Sequence, residues 1–82
     1  MTALLADLPN GTHATVVAVA AHGPGLAESH LRRLGELGFL LGEPVQVLHR
    51  GPGGREPLAV VLGDTMFALR LVEARCITVR TA

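Results

Sequence analysis

The chain has few aromatic side chains: its 82 residues include no Trp and no Tyr, and Phe39 and Phe67 are its two Phe. A groove of stacked aromatic rings, as used to bind Pro-rich peptides or single-stranded nucleic acid, is therefore not expected. Since 49% of the residues are hydrophobic, the core must consist of Leu, Val, Ile and Ala. The length predicts one compact domain spanning residues 1–82.

An excess of charge of either sign is also missing, because seven acidic residues balance seven basic ones. A protein without a basic surface offers no general attraction to nucleic acid or to an anionic membrane. All seven basic residues are Arg, which suits a specific contact with a carboxylate or a phosphate. The balance of charge favours a protein partner.

Cysteines and long apolar runs are scarce as well. Cys76 is the single cysteine and cannot form a disulfide within the chain. The N-terminal stretch contains Asp7 and no basic residue before its hydrophobic segment, so it does not look like a secretory signal. The longest nearly apolar runs, 14–21 and 37–41, fall far short of the roughly 20 residues that span a bilayer. We expect a cytoplasmic protein, recruited to the inner membrane only by a partner.

Five short segments rich in β-branched and aliphatic residues predict strands. They are bounded by Gly, Pro and Asp, and they span residues 15–19, 45–49, 58–62, 65–69 and 76–80. The three middle segments predict an antiparallel meander, and a single helical or 3₁₀ turn is expected before the last strand. Because short strands leave exposed edges unless the sheet closes, we expect a mainly β fold, a small five-stranded SH3-like barrel with one inserted helix.

The inserted helix is predicted to begin at Leu26. Apolar residues recur there with the helical period, charged residues occupy the remaining positions, and Gly38 is placed to end the helix. Gly35 lies inside this helix at a cost of roughly 0.5–1 kcal/mol relative to Ala. Gly35 marks either a close approach of another backbone or early fraying of the helix, and we favour the close approach.

Two segments resemble the signature of the FeoA family. The first resembles the family's helix that ends in Leu-Gly-hydrophobic and continues into a Gly turn and a Val-x-Val strand; it is LRRLGELGFLLGEPVQVL, residues 31–48. The second resembles the family's ending, an Ala-Leu-Arg strand followed by a Glu-Ala turn and a last strand; it is FALRLVEARCITV, residues 67–79. Together with the first strand and the Gly/Pro loop at 50–57, the resemblance covers almost the whole chain.

The resemblance implies an SH3-like barrel whose helix is inserted after the first strand. It also implies an accessory role in bacterial ferrous iron uptake, supporting FeoB, a large membrane transporter with a cytosolic G-protein domain. The expected partner is that cytosolic domain, a weak homodimer is a second expected assembly, and no cofactor is expected.

Three large apolar residues in a row after the helix, Phe39, Leu40 and Leu41, are the first candidate contact with a partner. A barrel of this size can turn only some of them inward. In the alternative interpretation Leu37, Phe39 and Leu41 close the end of the barrel and only Leu40 faces out. Leu40 is therefore the strongest candidate.

The loop between the second and third predicted strands supplies the second candidate contact. Arg50 and Arg55 are expected at its exposed tip, where they could meet an acidic partner, although a solvated loop charge is the simpler interpretation of both. The loop does not predict a phosphate site, because no Gly-Lys-Ser/Thr follows it and a strand rather than a helix comes next.

Metal binding and catalysis find little support in the sequence. His22, His30 and His49 are weak surface candidates for metal ligands, since no two of them have ligand spacing, and Cys76 is expected to be a buried structural residue. No hydroxyl, including that of Ser29, has a base at a suggestive spacing, so the chain is not predicted to be an enzyme.

The alternative function is a stand-alone regulatory barrel related to the C-terminal domain of metal-dependent repressors. Because residues 1–82 contain no helix-turn-helix before the barrel, we expect that such a chain does not read DNA alone.

Overall fold

The computed structural model describes residues 1–20, 28–54 and 56–81. Its elements are β1 (Thr2–Leu4), β2 (His13–Val19), α1 (Glu28–Leu37), β3 (Pro44–Arg50), β4 (Leu58–Leu62), β5 (Thr65–Leu69), α2 (Leu71–Ala74) and β6 (Ile77–Thr81). The 3₁₀ turn Leu5–Asp7 follows β1, and Pro52–Gly54 after β3 is a turn in which Gly53 has a φ of +77°. No helix in these ranges is long and apolar enough to cross a membrane.

All strands belong to one antiparallel sheet with the order β1-β6-β2-β3-β4-β5. The predicted meander is confirmed as β3, β4 and β5, and the predicted helical turn before the last strand is α2. The mainly β class with an inserted helix is confirmed, but the described residues form six strands instead of five.

The additional strand, β1, is only three residues long and was not predicted. Three residues give no alternation to detect, and the strand forms because β6 provides a partner almost 80 positions away: Thr2 pairs with Arg80 and Leu4 with Thr78. The Thr81 N–H also donates to the Met1 carbonyl at 2.9 Å. Long-range pairing thus gives strand structure to a segment whose local sequence does not predict a strand.

The sheet is curled around a single hydrophobic core. Leu5 after β1 and Leu69 on β5 come from opposite edges of the sheet, yet both belong to one buried cluster with residues of the central strands. Phe39 and Phe67 pack against each other with ring centroids 5.8 Å apart. Cys76 is fully buried, as expected from the sequence, and its Sγ lies 3.3 Å from the Val72 carbonyl oxygen.

Helix α1 ends in the manner the sequence indicates, at Gly38. The Gly38 N–H donates to the Gly35 carbonyl at 3.0 Å and the Phe39 N–H donates to the Leu34 carbonyl at 3.1 Å, which is the Schellman pattern. Gly38 has a φ of +113°, a conformation that other residues adopt only with strain. The start predicted for this helix, at Leu26, lies outside the described residues.

The interpretation of Gly35 as a close backbone approach is wrong. A Cβ built on Gly35 would meet no atom within 4 Å. The missing side chain instead leaves open space beside the helix, on the side that faces β2.

Two β-bulges interrupt the register of neighbouring strands. The pairing of β2 with β6 shifts between Val16 and Ala18, so that Val17 is an extra residue, and the pairing of β3 with β4 shifts at Leu48. A bulge bends its strand and strengthens the local twist, which helps a sheet of this size to curl.

Candidate partner-binding site

The two exposed leucines after α1 sit on a tight turn between the helix and β3. The Glu43 N–H donates to the Leu40 carbonyl at 3.1 Å, and Gly42 at the third position has a φ of +89°. A turn with positive φ at the third position is of type II, for which Gly is the preferred residue there. We call residues 40–43 the leucine turn.

The leucine turn is attached to the sheet by its own backbone. The Gly42 N–H donates to the Val16 carbonyl at 2.8 Å, and the Val16 N–H donates to the Glu43 carbonyl at 2.9 Å. Because Val16 is a fully buried residue of β2, these two bonds hold the turn against a fixed part of the fold. The exposed side chains of the turn are therefore presented by an ordered backbone.

The three apolar residues predicted for partner contact have different surroundings. Phe39 is 1% exposed and belongs to the core, whereas Leu40 is 56% exposed and Leu41 is 71% exposed. Leu41 does not close the barrel end, since the turn directs it to solvent, and Leu37 is half-buried. The interpretation in which only Leu40 faces out is therefore wrong, because two neighbouring leucines are at the surface.

An open apolar groove of about 460 Å³ adjoins the leucine turn. Its walls are Val17–Val19 of β2, Leu31 and Gly35 of α1, and the segment Phe39–Leu41. The bulge at Val17 lies in the wall formed by β2. In the opposite wall, formed by α1, Gly35 has no side chain that would narrow the groove. We call this depression the α1–β2 groove.

Arg50 does not lie at an exposed loop tip, where the sequence had suggested it. It is the last residue of β3, it is half-buried, and its Nη2 donates to the carbonyls of Ala6 at 2.8 Å and Leu8 at 2.6 Å. The guanidinium thereby ties the 3₁₀ turn after β1 to the end of β3. Arg55, the other predicted loop contact, lies outside the described residues.

Two of the three histidines named as weak metal candidates lie in the described residues, on different elements. His30 on α1 and His49 on β3 are both exposed, and His22 lies outside the described residues. In the ranges that the structure describes, no group of three or more His, Cys, Asp or Glu side chains could hold a metal ion.

One buried polar contact was not predicted from the sequence. Glu73 on α2 is 5% exposed; its carboxylate accepts a hydrogen bond from the Arg70 N–H at 3.0 Å and forms an ion pair with Arg33 of α1. Glu73 and Arg33 are 40 positions apart. The one local signal is that Glu73 lies three residues after Arg70, the N-cap of α2, because a Glu at that position commonly caps the first turn.

The observed fold is SH3-like. It matches the structure of FeoA from Stenotrophomonas maltophilia in complex with zinc, described as a prokaryotic SH3 domain protein, with a TM-score of 0.80. The sequences are 44% identical, and the match covers 98% of this chain and 89% of that one. The model of the FeoA domain matches residues 3–81. The chain therefore belongs to the FeoA family, whose members are small SH3-like accessory proteins of ferrous iron transport.

Two further structures extend the comparison. FeoA from Chlorobium tepidum is 33% identical, with a TM-score of 0.78 over 96% of this chain and 70% of that one. A manganese-dependent transcriptional repressor shares the fold at 21% identity, with a TM-score of 0.80 over 99% of this chain and 42% of the repressor. A comparison with curated proteins gives no match.

Proposed function

We propose that this chain is a cytoplasmic accessory protein that binds the cytosolic G-protein domain of a FeoB-type ferrous iron transporter. The observation that carries the proposal is the pair of exposed leucines, Leu40 and Leu41, on an ordered turn beside the α1–β2 groove. Membership in the FeoA family supports the pathway. The structure of the S. maltophilia relative has been discussed in terms of a ferrous iron transport activating factor, which supports the same role here.

The energetics of the leucine turn favour a binding role. Covering two leucines that are more than half exposed would contribute about 1–2 kcal/mol for each side chain. Since the turn is already ordered by its bonds to Val16, binding would lose little backbone entropy at this site. The net charge of zero fits an apolar contact better than a charge-driven one.

Binding can be measured by calorimetry at micromolar concentrations, with the transporter's cytosolic domain in its nucleotide-free and GTP-bound forms. The wild-type chain is expected to bind at least one form. The double variant Leu40→Ser/Leu41→Ser is expected to bind at least 10-fold more weakly, which corresponds to about 1.4 kcal/mol or more.

The matched control is Met66→Ser, because Met66 is 64% exposed and lies on β5, outside the leucine turn and the groove walls. It is expected to bind like the wild type. The proposal fails if neither form of the domain binds the wild-type chain and a deletion strain takes up ferrous iron normally. It also fails for this surface if the control and the double variant lose affinity equally.

A second candidate is a stand-alone regulatory role, favoured by the match to 42% of a metal-dependent repressor. At 21% identity that match concerns the fold. In this case a deletion would change metal-responsive transcription while leaving the transporter's intrinsic uptake rate unaltered. Measuring transcript levels and uptake in the same deletion strain separates the two functions.

A further inference from the structure

The free edge of β5 lies outside the leucine turn and the α1–β2 groove, and no strand pairs with it in the described residues. Within the described residues, β5 pairs with β4 alone and forms one end of the sheet, while β1 forms the other end. β1 is a three-residue strand, but β5 has five residues, pairs in regular register, and carries no charged residue, Pro or bulge. Natural proteins usually protect edge strands with such features. In the part of the chain that the structure describes, β5 is therefore an edge strand without such protection.

The register of the β4–β5 hairpin shows which backbone groups point outward. Leu62 and Thr65 flank the two-residue turn Gly63-Asp64, in which Gly63 has a φ of +61°. In such a hairpin the pair next to the turn exchanges both hydrogen bonds, and the following pairs alternate. Thr65, Phe67 and Leu69 therefore direct their N–H and C=O groups toward β4. Met66 and Ala68 direct theirs to the open edge.

We propose that this edge pairs with the β5 edge of a second copy of the chain, antiparallel and centred on Phe67. In this register Met66 of each copy lies opposite Ala68 of the other. Both residues offer an outward N–H and an outward C=O, so the two pairs form four hydrogen bonds across a two-fold axis. The two six-stranded sheets then become one continuous sheet.

Charge complementarity selects this register and this occupant. Asp64 precedes β5 and Arg70 follows it, both are exposed, and each lies three residues from Phe67. Antiparallel pairing centred on Phe67 therefore places Asp64 of each copy opposite Arg70 of the other. Shifting the pairing by two residues in either direction separates these opposite charges. A second copy is thus complementary to the edge in both hydrogen bonds and charge.

Arg70 lies among both basic and acidic side chains. It lines one surface depression with His30, Arg33 and Glu73, and a second one with Glu56. The carboxylate of Glu73 is already bonded to the Arg33 side chain and the Arg70 N–H. Glu56 partly opposes the approach of Asp64 from a second copy, which is in keeping with a weak contact.

The outer face of the paired strands would be apolar. Met66, 64% exposed, lies beside Val61 in its own hairpin and would meet Ala68 of the second copy. Two five-residue strands form a small contact, below the ~1,000 Å² that a stable interface usually exceeds. We expect a weak dimer with a dissociation constant on the order of 0.1–1 mM at low salt.

The experiment is a dilution series of the purified chain from about 1 mM to 10 µM at low salt, followed by sedimentation and by the amide signals of β5. The dimer predicts a rise in mass with concentration. It also predicts that the Met66 and Ala68 amides shift and exchange more slowly with solvent at high concentration. A monomer at 1 mM, or shifts confined to other surfaces, would overturn the proposal.

Charge-swapped variants test the register. Asp64→Arg alone places like charges opposite each other and is expected to weaken the dimer at least 10-fold, and Arg70→Asp alone does the same. The double variant Asp64→Arg/Arg70→Asp has the wild-type net charge and restores both opposite-charge pairs, so its association should return to within about 3-fold of the wild type. Failure of the double variant to recover, with an unchanged thermal midpoint, overturns this register.

A proline variant keeps the proposal testable if Arg70→Asp disturbs α2. Ala68→Pro removes the outward N–H without removing a β4–β5 bond, and edge strands accept Pro at such positions. It should weaken the dimer at least 10-fold, whereas the matched control Ala68→Ser keeps the N–H and should dimerise like the wild type. Equal association of both variants would overturn the proposal.

Discussion

Leu41 precedes strand β3 and Arg50 is its last residue, and their side chains have opposite surroundings. Arg50, a charged residue after a run of strand residues, is half-buried and donates to two carbonyls of the N-terminal turn. Leu41, an apolar residue in a turn, is 71% exposed. The charged residue therefore stabilises the fold and the apolar one is available to a partner. In this domain, the polarity of a side chain alone does not tell a structural residue from a binding residue. The contacts that the side chain already makes within the fold distinguish the two.

The largest stability effect is expected inside the segment Phe39–Leu41. Phe39→Ala removes a ring that is 1% exposed and packs on Phe67, so it should lower the free energy of unfolding by about 3–5 kcal/mol. The neighbouring change Leu40→Ala should alter it by less than about 0.5 kcal/mol. Denaturant unfolding of both variants measures the difference. Equal effects would contradict the division of this segment into a core residue and surface residues.

The next effect concerns Arg50. Arg50→Ala leaves the carbonyls of Ala6 and Leu8 without their charged donor, and we expect a loss of about 2–3 kcal/mol in unfolding free energy. Arg80→Ala, at an exposed position on β6, is the matched control and should change stability little. If Arg50→Ala is as stable as its control but binds the transporter domain less well, then Arg50 is a partner contact after all.

A smaller effect of opposite sign is expected at Gly35. Gly35→Ala should raise the unfolding free energy by about 0.5–1 kcal/mol, because the new Cβ meets no atom and Ala favours the helix. The same methyl group fills part of the α1–β2 groove, so partner binding should weaken. Gly38→Ala is the contrasting control, since its positive φ makes any side chain there destabilising. A Gly35→Ala variant that binds the partner like the wild type would show that the wall formed by α1 takes no part in binding.

The smallest stability effect is expected for Leu41→Ser, within about 0.5 kcal/mol of the wild type, because Leu41 is mostly solvated already. Leu62→Ser, at a 7% exposed position on β4, should be destabilised by several times as much. Thermal unfolding monitored by circular dichroism compares the two. A large loss for Leu41→Ser would show that the leucine turn packs more tightly than its exposure indicates.

Local patterns in the sequence were sufficient for most of the fold. The β3–β4–β5 meander follows from aliphatic runs separated by Gly-containing turns, and the end of α1 follows from Gly38. The strand β1 could not be predicted, because its stability comes from β6 at the other end of the chain. Detection of a strand by alternation needs more than three residues.

The sequence indicated which residues form the candidate site but not which of them are exposed. Three apolar residues in a row indicated an exposed surface, and the pairing of Gly42 and Glu43 with Val16 determined which of them face solvent. The partners of Arg50 are backbone carbonyls. Because every residue has one, the sequence does not indicate which of them Arg50 contacts. The ion pair of Arg33 with Glu73 joins positions that only the folded chain brings together.

The bulge at Val17 has a consequence for how this family can vary in length. Val16 and Ala18, on either side of the bulge, pair with the consecutive residues Val79 and Thr78. Deleting Val17 would therefore straighten β2 without moving either flank to the other face of the sheet, and Val19 would keep its partner Ile77. The α1–β2 groove would lose the part of its wall that Val17 forms. Relatives that lack one residue in β2 should therefore keep the sheet and have a different groove.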